Sequence, residues 1–236
     1  FTATPASNPA PYSYDDLPAG QTDPNLTNFS LSHDNAYIIP TLQQVLQTNP
    51  NVTFLANPWS PPAWMKTDGS MLGSVNGQQG TLISSDYGPL AQYFVKFLQG
   101  YEAQGIPISY ITPQNEPYSA PDSFPGMYLA PGDEANFIAN NLGPSVANAN
   151  LSLTPKILAW DYNWDTPSYP MTVLSNSAAN SYVYGVGWHA YGGNPSAMST
   201  LHYAYPTKGE FETEFSTGNA SDAVDLALHS VQNWAR

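Results

Sequence analysis

Cysteine is absent from the 236 residues, which excludes a disulfide scaffold, a thiolate metal site and a cysteine nucleophile together. Positive charge is scarce. Five Lys and Arg against 18 Asp and Glu leave a net charge of −13, which repels phosphate backbones and anionic lipid headgroups and argues against a nucleic-acid or membrane-surface partner. Charged residues of both signs make up only 10% of the chain while aromatics make up 13%, so polarity comes from Ser, Thr, Asn, Gln and Tyr. Such a surface recognises ligands by neutral hydrogen bonds and ring stacking, and sugars fit it. No apolar run approaches the roughly 20 residues of a membrane span. The opening FTATPASNPAPYSY has neither the basic region nor the apolar core of a signal peptide. An acidic, Cys-free, Lys-poor chain suits secretion, and the sequons at Asn25, Asn28, Asn51, Asn150 and Asn219 are glycosylation acceptors if the host is eukaryotic, or chance in a chain rich in Asn, Ser and Thr.

What is present is an alternation of short apolar runs with amphipathic ones. Five strands are expected: Val52 to Asn57, Ile108 to Gln114, Lys156 to Asp161, Val183 to His189 and Gly209 to Glu214. Between them lie helices, the clearest at Gly88 to Ala103, where Leu90, Phe94, Phe97, Leu98 and Tyr101 form one stripe. Ile38 to Thr48 repeats the pattern with Ile38, Leu42, Val45 and Leu46. A last helix is expected after the fifth strand, with Ser221 as N-cap and a stripe of Val224, Leu228 and Val231. Prolines punctuate segment ends, and neither a fixed repeat nor a linker divides the chain, so residues 1–236 read as one domain. Strand, helix, strand, helix implies a parallel sheet with crossover helices. A doubly wound sheet and a (β/α)8 TIM barrel compete. No Gly-rich phosphate turn follows the first strand, and polar or aromatic residues cluster after nearly every strand, which is the barrel's pattern. Five strands cannot close eight, so the fold class is α/β, an incomplete (β/α)8 barrel.

Glu116 follows the second strand in Ile111-Thr-Pro-Gln-Asn-Glu-Pro117, and Glu214 ends the fifth in Phe211-Glu-Thr-Glu-Phe-Ser216. Two carboxylates at the C-terminal ends of parallel strands can face each other across a barrel mouth, the geometry a glycosidic bond requires: one protonates the leaving oxygen while the other attacks or activates water. Taken singly, Glu116 is equally a strand-terminating turn and Glu214 a solvated strand end. The flanking segments add weight. Asn57-Pro-Trp-Ser-Pro-Pro-Ala-Trp-Met-Lys66, Gln114-Asn-Glu-Pro117, Trp188-His-Ala-Tyr191 and Thr213-Glu-Phe-Ser216 occur in order, one at each of four strand ends. With these motifs the chain resembles glycoside hydrolase family 30, the glucosylceramidases and β-1,6-glucanases, from Tyr14-Asp-Asp-Leu17 through Gln232-Asn-Trp-Ala-Arg236.

The resemblance implies that Glu116 is the general acid/base and Glu214 the nucleophile of a retaining β-glycoside hydrolase that works through a covalent glycosyl-enzyme. By the same resemblance Asn115 hydrogen-bonds the sugar 2-hydroxyl, Trp59 lies in the glycone pocket, and Tyr191 stands beside the nucleophile. Trp64 is a second sugar-facing indole or a core residue; His189 is a site residue or a satisfied core histidine; Asp161 and Asn163 belong to a substrate loop or cap a helix. No cofactor is implied. His33, His189, His202 and His229 show no paired ligand spacing, and Asp15-Asp16 reads as a turn rather than a calcium site, so no metal is expected.

By period-2 alternation Glu210, Glu212 and Glu214 share one face, which places Glu212 in the barrel one layer below the nucleophile. Against the family, the five strands correspond to the third to the seventh. An acidic sugar ligand before Phe1, the eighth strand and an accessory β-sandwich are missing, and such a piece alone is expected to be inactive. The expected substrate is a carbohydrate, namely a β-glucoside, glucan or glycolipid, with no stable membrane insertion and a monomeric protein. Linkage and endo or exo action are left open, because aglycone specificity falls in loops such as Tyr118 to Tyr128. The competing reading is a non-catalytic carbohydrate-binding homologue.

Overall fold

The computed structural model describes residues 11–236; the segment before them, on which much of the signal-peptide reading rests, lies outside the described residues. In chain order the helices are α1 (Ser32–Ala36), α2 (Ile38–Thr48), α3 (Tyr87–Ala103), α4 (Pro131–Phe137), α5 (Gly143–Ala147), α6 (Ser168–Ser175), α7 (Ser177–Tyr182), α8 (Ser196–Ala204) and α9 (Ala220–Gln232). A π-helical turn, Ile138–Leu142, joins α4 to α5. The strands are β1 (Phe54–Ala56), β2 (Ser74–Val75), β3 (Gln78–Gln79), β4 (Ile108–Ile111), β5 (Lys156–Asn163), β6 (Val183–His189) and β7 (Gly209–Glu214).

Five strands form one parallel sheet in the order β1-β4-β5-β6-β7, while β2 and β3 make a separate hairpin. Spatial order equals chain order, with no reversal, so the sheet has no topological switch point and the doubly wound alternative fails. Residues Ala235 and Arg236 begin to pair with β7 at Glu210.

The helices cover one side of this sheet. Along α3 the buried residues Leu90, Ala91, Tyr93, Phe94, Phe97, Leu98 and Tyr101 form the expected stripe, each large side chain contributing about 1.5–3 kcal/mol by leaving water. In α9 the outcome differs: Val224, Leu228 and Val231 are exposed, and Leu226 and Ser230 turn inward. Its N-cap is Asn219, not Ser221, because the Asn219 carboxamide accepts the Asp222 N–H.

Three irregularities shape the sheet's C-terminal edge. The β4 ladder stops at Ile111 rather than continuing to Gln114, since Pro113 has no N–H to donate; the Thr112 N–H makes a last bond to Ala56. In β5 the register slips between Trp160 and Tyr162, and Trp160 and Asp161 both take positive φ, 74° and 69°. In β7 it slips at Thr213, where Trp188 pairs with Glu212 but His189 pairs with Glu214. This extra residue returns Glu214 to the face of Gly187 and His189 and leaves Glu212 on the opposite face with Trp188. Glu212 therefore does not lie beneath Glu214, and the alternation reading fails at the bulge. Gly187 is needed here, because a Cβ on it would meet Asp161 Oδ1 at 3.1 Å and Thr213 Cγ2 at 3.2 Å.

Candidate active site

At the C-terminal edge of the sheet, Glu116, His189 and Glu214 each bring one side-chain N or O atom to within 4.8 Å of the other two. The carboxyl groups of the loop after β4 and of the end of β7 thus meet on one face with one oxygen of each within 4.8 Å, which suits a retaining double displacement, whose carboxyl groups stand about 5–5.5 Å apart, rather than the wider spacing of an inverting enzyme. Glu116 itself sits at φ 46°, fixed by donating its N–H to the Asp161 carbonyl at 3.0 Å. Three non-glycine residues in the left-handed region, Glu116, Trp160 and Asp161, are therefore linked, a cost of about 1 kcal/mol or more each that the surrounding bonds must hold in place.

His189 is fully enclosed, with Nδ1 3.1 Å from Glu116 Oε1 and Nε2 3.3 Å from Asp161 Oδ1. Burial opposes its charge, but hydrogen bonds to Asp161 and Glu116, with the charges of Asp161 and Glu214, outweigh that and push its pKa up to about 10. Protonated, it donates from both nitrogens, to Glu116 and to Asp161.

Asp161 is equally closed to solvent. Its carboxylate accepts from His189, from Thr213 Oγ1 at 2.6 Å, from Thr112 Oγ1 at 2.8 Å and from Asn57 Nδ2 at 3.1 Å. Burial works against the ionised form, yet the His189 bond and charge and the two threonines hold its pKa below the ordinary value. Asp161 and His189, expected among the sugar-binding residues, are enclosed here and hold each other and Glu116.

Asn57 ties the set together by donating its second N–H to Asn115 Oδ1 at 2.9 Å. Asn115 is buried to 5% exposure, and Gln114 Nε2 donates to the Trp59 carbonyl at 2.7 Å, so the Asn-Glu segment is bound to the end of β1. Trp59 is half-buried and packs at a tilt on Phe124. Trp64 is not with it: the indole lies in the core and donates Nε1 to the Asp15 carbonyl at 3.2 Å, so the core alternative holds. Tyr191 is 48% exposed, its ring edge on His189 and its face tilted on Phe215; partial burial, then the Glu214 charge and hydrogen bond, raise its phenol pKa. Asn163 Oδ1 accepts the Tyr191 N–H at 3.2 Å and so positions that loop.

Asn57, Thr112 and Thr213 were not given roles from sequence, although each stands at a strand end within a motif that was singled out. Glu212 is half-buried on the opposite face, with its carboxyl oxygens enclosed. Both its oxygens and Trp164 Nε1 lack partners in normal hydrogen-bond geometry, and burial raises its pKa to about 8.

A paired-carboxylate site at the C-terminal ends of two strands of one parallel sheet whose spatial order equals its chain order defines a barrel-type glycosidase architecture. The chain belongs to glycosyl hydrolase family 30: residues 4–235 match the model of its TIM-barrel domain. It is 40% identical over 238 residues to the endo-1,6-beta-D-glucanase of Neurospora crassa, covering 98% of this chain and 48% of that protein. It is 30% identical over 219 residues to the lysosomal acid glucosylceramidase of Mus musculus, covering 88% of this chain and 41% of that protein. The solved endo-beta1,6-glucanase BT3312 superposes with a TM-score of 0.80 at 32% identity, over 93% of this chain and 52% of that one. The chain thus spans about half the length of the curated relatives it matches. Among the described residues, no helix is long and apolar enough to cross a membrane.

Proposed function

We propose that residues 1–236 form the part of a (β/α)8 barrel that carries the catalytic carboxylates of a secreted, monomeric, retaining β-glucoside hydrolase cleaving β-1,6-linked glucan. In this reading the five parallel strands are the third to the seventh of eight. Glu214 attacks the anomeric carbon and forms a glycosyl-enzyme; Glu116 protonates the leaving oxygen and then, as a carboxylate, deprotonates the incoming water. The single observation that carries this is the approach of the Glu116 and Glu214 carboxyl oxygens to within 4.8 Å on one face of the sheet. Asn115, Trp59 and Tyr191 are the residues of the set placed to meet a sugar. Higher identity to endo-1,6-glucanases, 40% and 36%, than to the mouse glucosylceramidase, 30%, favours the glucan over the glycolipid.

The imidazolium of His189 has a role in this mechanism. Its Nδ1–H meets Glu116 Oε1 at 3.1 Å and so fixes the orientation of that carboxyl group. The experiment is hydrolysis of a β-1,6-gluco-oligosaccharide followed by proton NMR. Initial release of the β-anomer, with mass-spectrometric labelling of Glu214 by a 2-fluoro-glucoside, is expected. Initial α-anomer, or a label elsewhere, overturns the assignment.

A further inference from the structure

Behind the site, Glu134 of α4 is fully buried, with no role in the reaction just described. Its Oε1 accepts the backbone N–H of Trp160 at 2.9 Å, and its Oε2 lies 2.8 Å from the hydroxyl of Tyr169 in α6. That hydroxyl also lies 2.8 Å from the Leu129 carbonyl. Burial, and then the neighbouring Glu134, raise the Tyr169 pKa well above its ordinary value, so the phenol keeps its proton. A phenol has one proton to give, and here two oxygens stand at bonding distance. Both contacts become full two-centre bonds if Glu134 supplies the second proton: Glu134 Oε2–H donates to Tyr169, Tyr169 O–H donates to Leu129, and Glu134 Oε1 accepts from Trp160.

We propose that Glu134 is a neutral carboxylic acid that acts as a positioning residue, pinning the left-handed Trp160–Asp161 step and thereby setting the carboxylate of Asp161 against His189 and Glu116. Trp160 and Asp161 are where β5 departs from regular register, and the Trp160 N–H is left for Glu134 by that departure. From Asp161 the path is short: its carbonyl accepts the Glu116 N–H and its side chain accepts from His189. The groups facing Glu134 agree with a neutral state. Trp160 packs on Tyr169 at 4.3 Å between ring centroids, Tyr118 meets both rings edge-on, and no Lys or Arg bonds to the carboxyl group. Burial, joined by the Asp161 charge and opposed by the Trp160 N–H, raises its pKa to about 7.

The positioning role rests on the proposed reading of Glu116 as a catalytic group, whereas the protonation and the bonds do not, so the test uses no substrate. Side-chain 13C NMR of Glu-labelled protein is compared with Glu134→Gln and Glu134→Ala, alongside 15N NMR of His189. One carboxyl resonance, missing in both variants, is expected to remain protonated at about pH 6, where ordinary glutamates are ionised. Glu134→Gln keeps an acceptor for Trp160 and a donor for Tyr169, so His189 should titrate as in the wild type. Glu134→Ala should release Asp161 and lower the His189 pKa by one unit or more. If Glu134→Ala does not fold, the wild type itself serves. Raising the pH through the Glu134 titration should perturb the His189 signals, and Glu134→Gln should abolish that perturbation. A Glu134 carboxyl already ionised at about pH 6, or His189 signals equally indifferent to Ala and Gln, overturns the proposal. Failure of the wild type in the anomer and 2-fluoro-glucoside tests, with these NMR results intact, would instead count against the hydrolase reading and leave this proposal standing.

Discussion

Asp161 and His189 face each other in a space closed to solvent, Oδ1 3.3 Å from Nε2, and each favours the charged form of the other. A fully buried imidazole alone would be neutral, and a fully buried carboxylate without donors would be protonated. Asp161→Asn removes the anion and turns one of its two acceptor oxygens into a donor, facing either Thr213 and His189 or Thr112 and Asn57. The His189 pKa should then fall from about 10 to or below its ordinary value of 6.5, because burial is no longer outweighed. We expect a loss of about 3–5 kcal/mol in stability, as for other broken buried pairs. His189 titrating unchanged in the variant would refute the coupling.

The proposed roles of the two glutamates predict different responses to the leaving group. Glu214→Ala should abolish turnover of every glucoside, since no covalent intermediate can form. Glu116→Ala should retain a rapid first turnover on an aryl glucoside with an acidic phenol, which needs little protonation, and then stall at deglycosylation for want of a base. Stopped-flow release of the phenol distinguishes the two. A burst from Glu214→Ala and none from Glu116→Ala would reverse the assignment.

Much of this site was legible because it is built at strand ends from short polar motifs. The bounds of β6 and β7 agree with their alternating and β-branched sequences, and α2 and α3 with their apolar spacing. The failures share a cause. Period-2 counting placed Glu212 under Glu214, but a one-residue bulge at Thr213 is invisible to a pattern that assumes regular register. The run from Pro131 to Ala147, interrupted by Gly132, Gly143 and Pro144, did not read as helix, and with it went Glu134. Asn76-Gly77 did carry a readable signal: both residues take positive φ, as a two-residue hairpin turn between β2 and β3 demands. The exposed Val224, Leu228 and Val231 show that an apolar stripe identifies a helix without fixing which face is covered.

Buried acids predict an acid-shifted stability optimum. Burial raises Glu134 and Glu210 to about 7, Glu212 to about 8 and Asp15 to about 6. Between the ordinary carboxyl value and each raised one, the folded state binds more protons than the unfolded, so stability falls as pH rises through that window. His189 acts in the same direction: its contribution is whole below 6.5 and is lost as pH climbs through about 10. Asp161, whose pKa is lowered, opposes this only at the acid end, losing its contribution as pH falls below the ordinary carboxylate range. Glu134 alone represents about 3 kcal/mol, so the melting temperature should be highest near pH 5 and drop by roughly 5–10 °C by pH 8. A flat or rising profile in calorimetry over that interval would exclude neutral buried acids.

Lys66 provides the last test, because it joins two loops that flank the site. Its ammonium group is buried and donates to the carbonyls of Gly126, at 2.7 Å, and of Leu72, with Asp68 3.8 Å away. Gly126 belongs to the loop after Glu116, and Leu72 to the segment that leads into the β2–β3 hairpin, so one side chain fixes both against each other. Burial, partly offset by Asp68, lowers the Lys66 pKa to about 8. Lys66→Met keeps the stem's packing but leaves two carbonyls without their donor, at about 1–3 kcal/mol each. The melting temperature should therefore fall by roughly 5–15 °C, and limited proteolysis should begin between residues 118 and 128. Since Glu116 and Glu214 do not touch Lys66, the proposed hydrolase should lose less turnover on a glucoside with a small aglycone than on a glucan long enough to reach the 118–128 loop. Equal losses on both substrates, or cleavage beginning elsewhere, would show that Lys66 does not organise that loop.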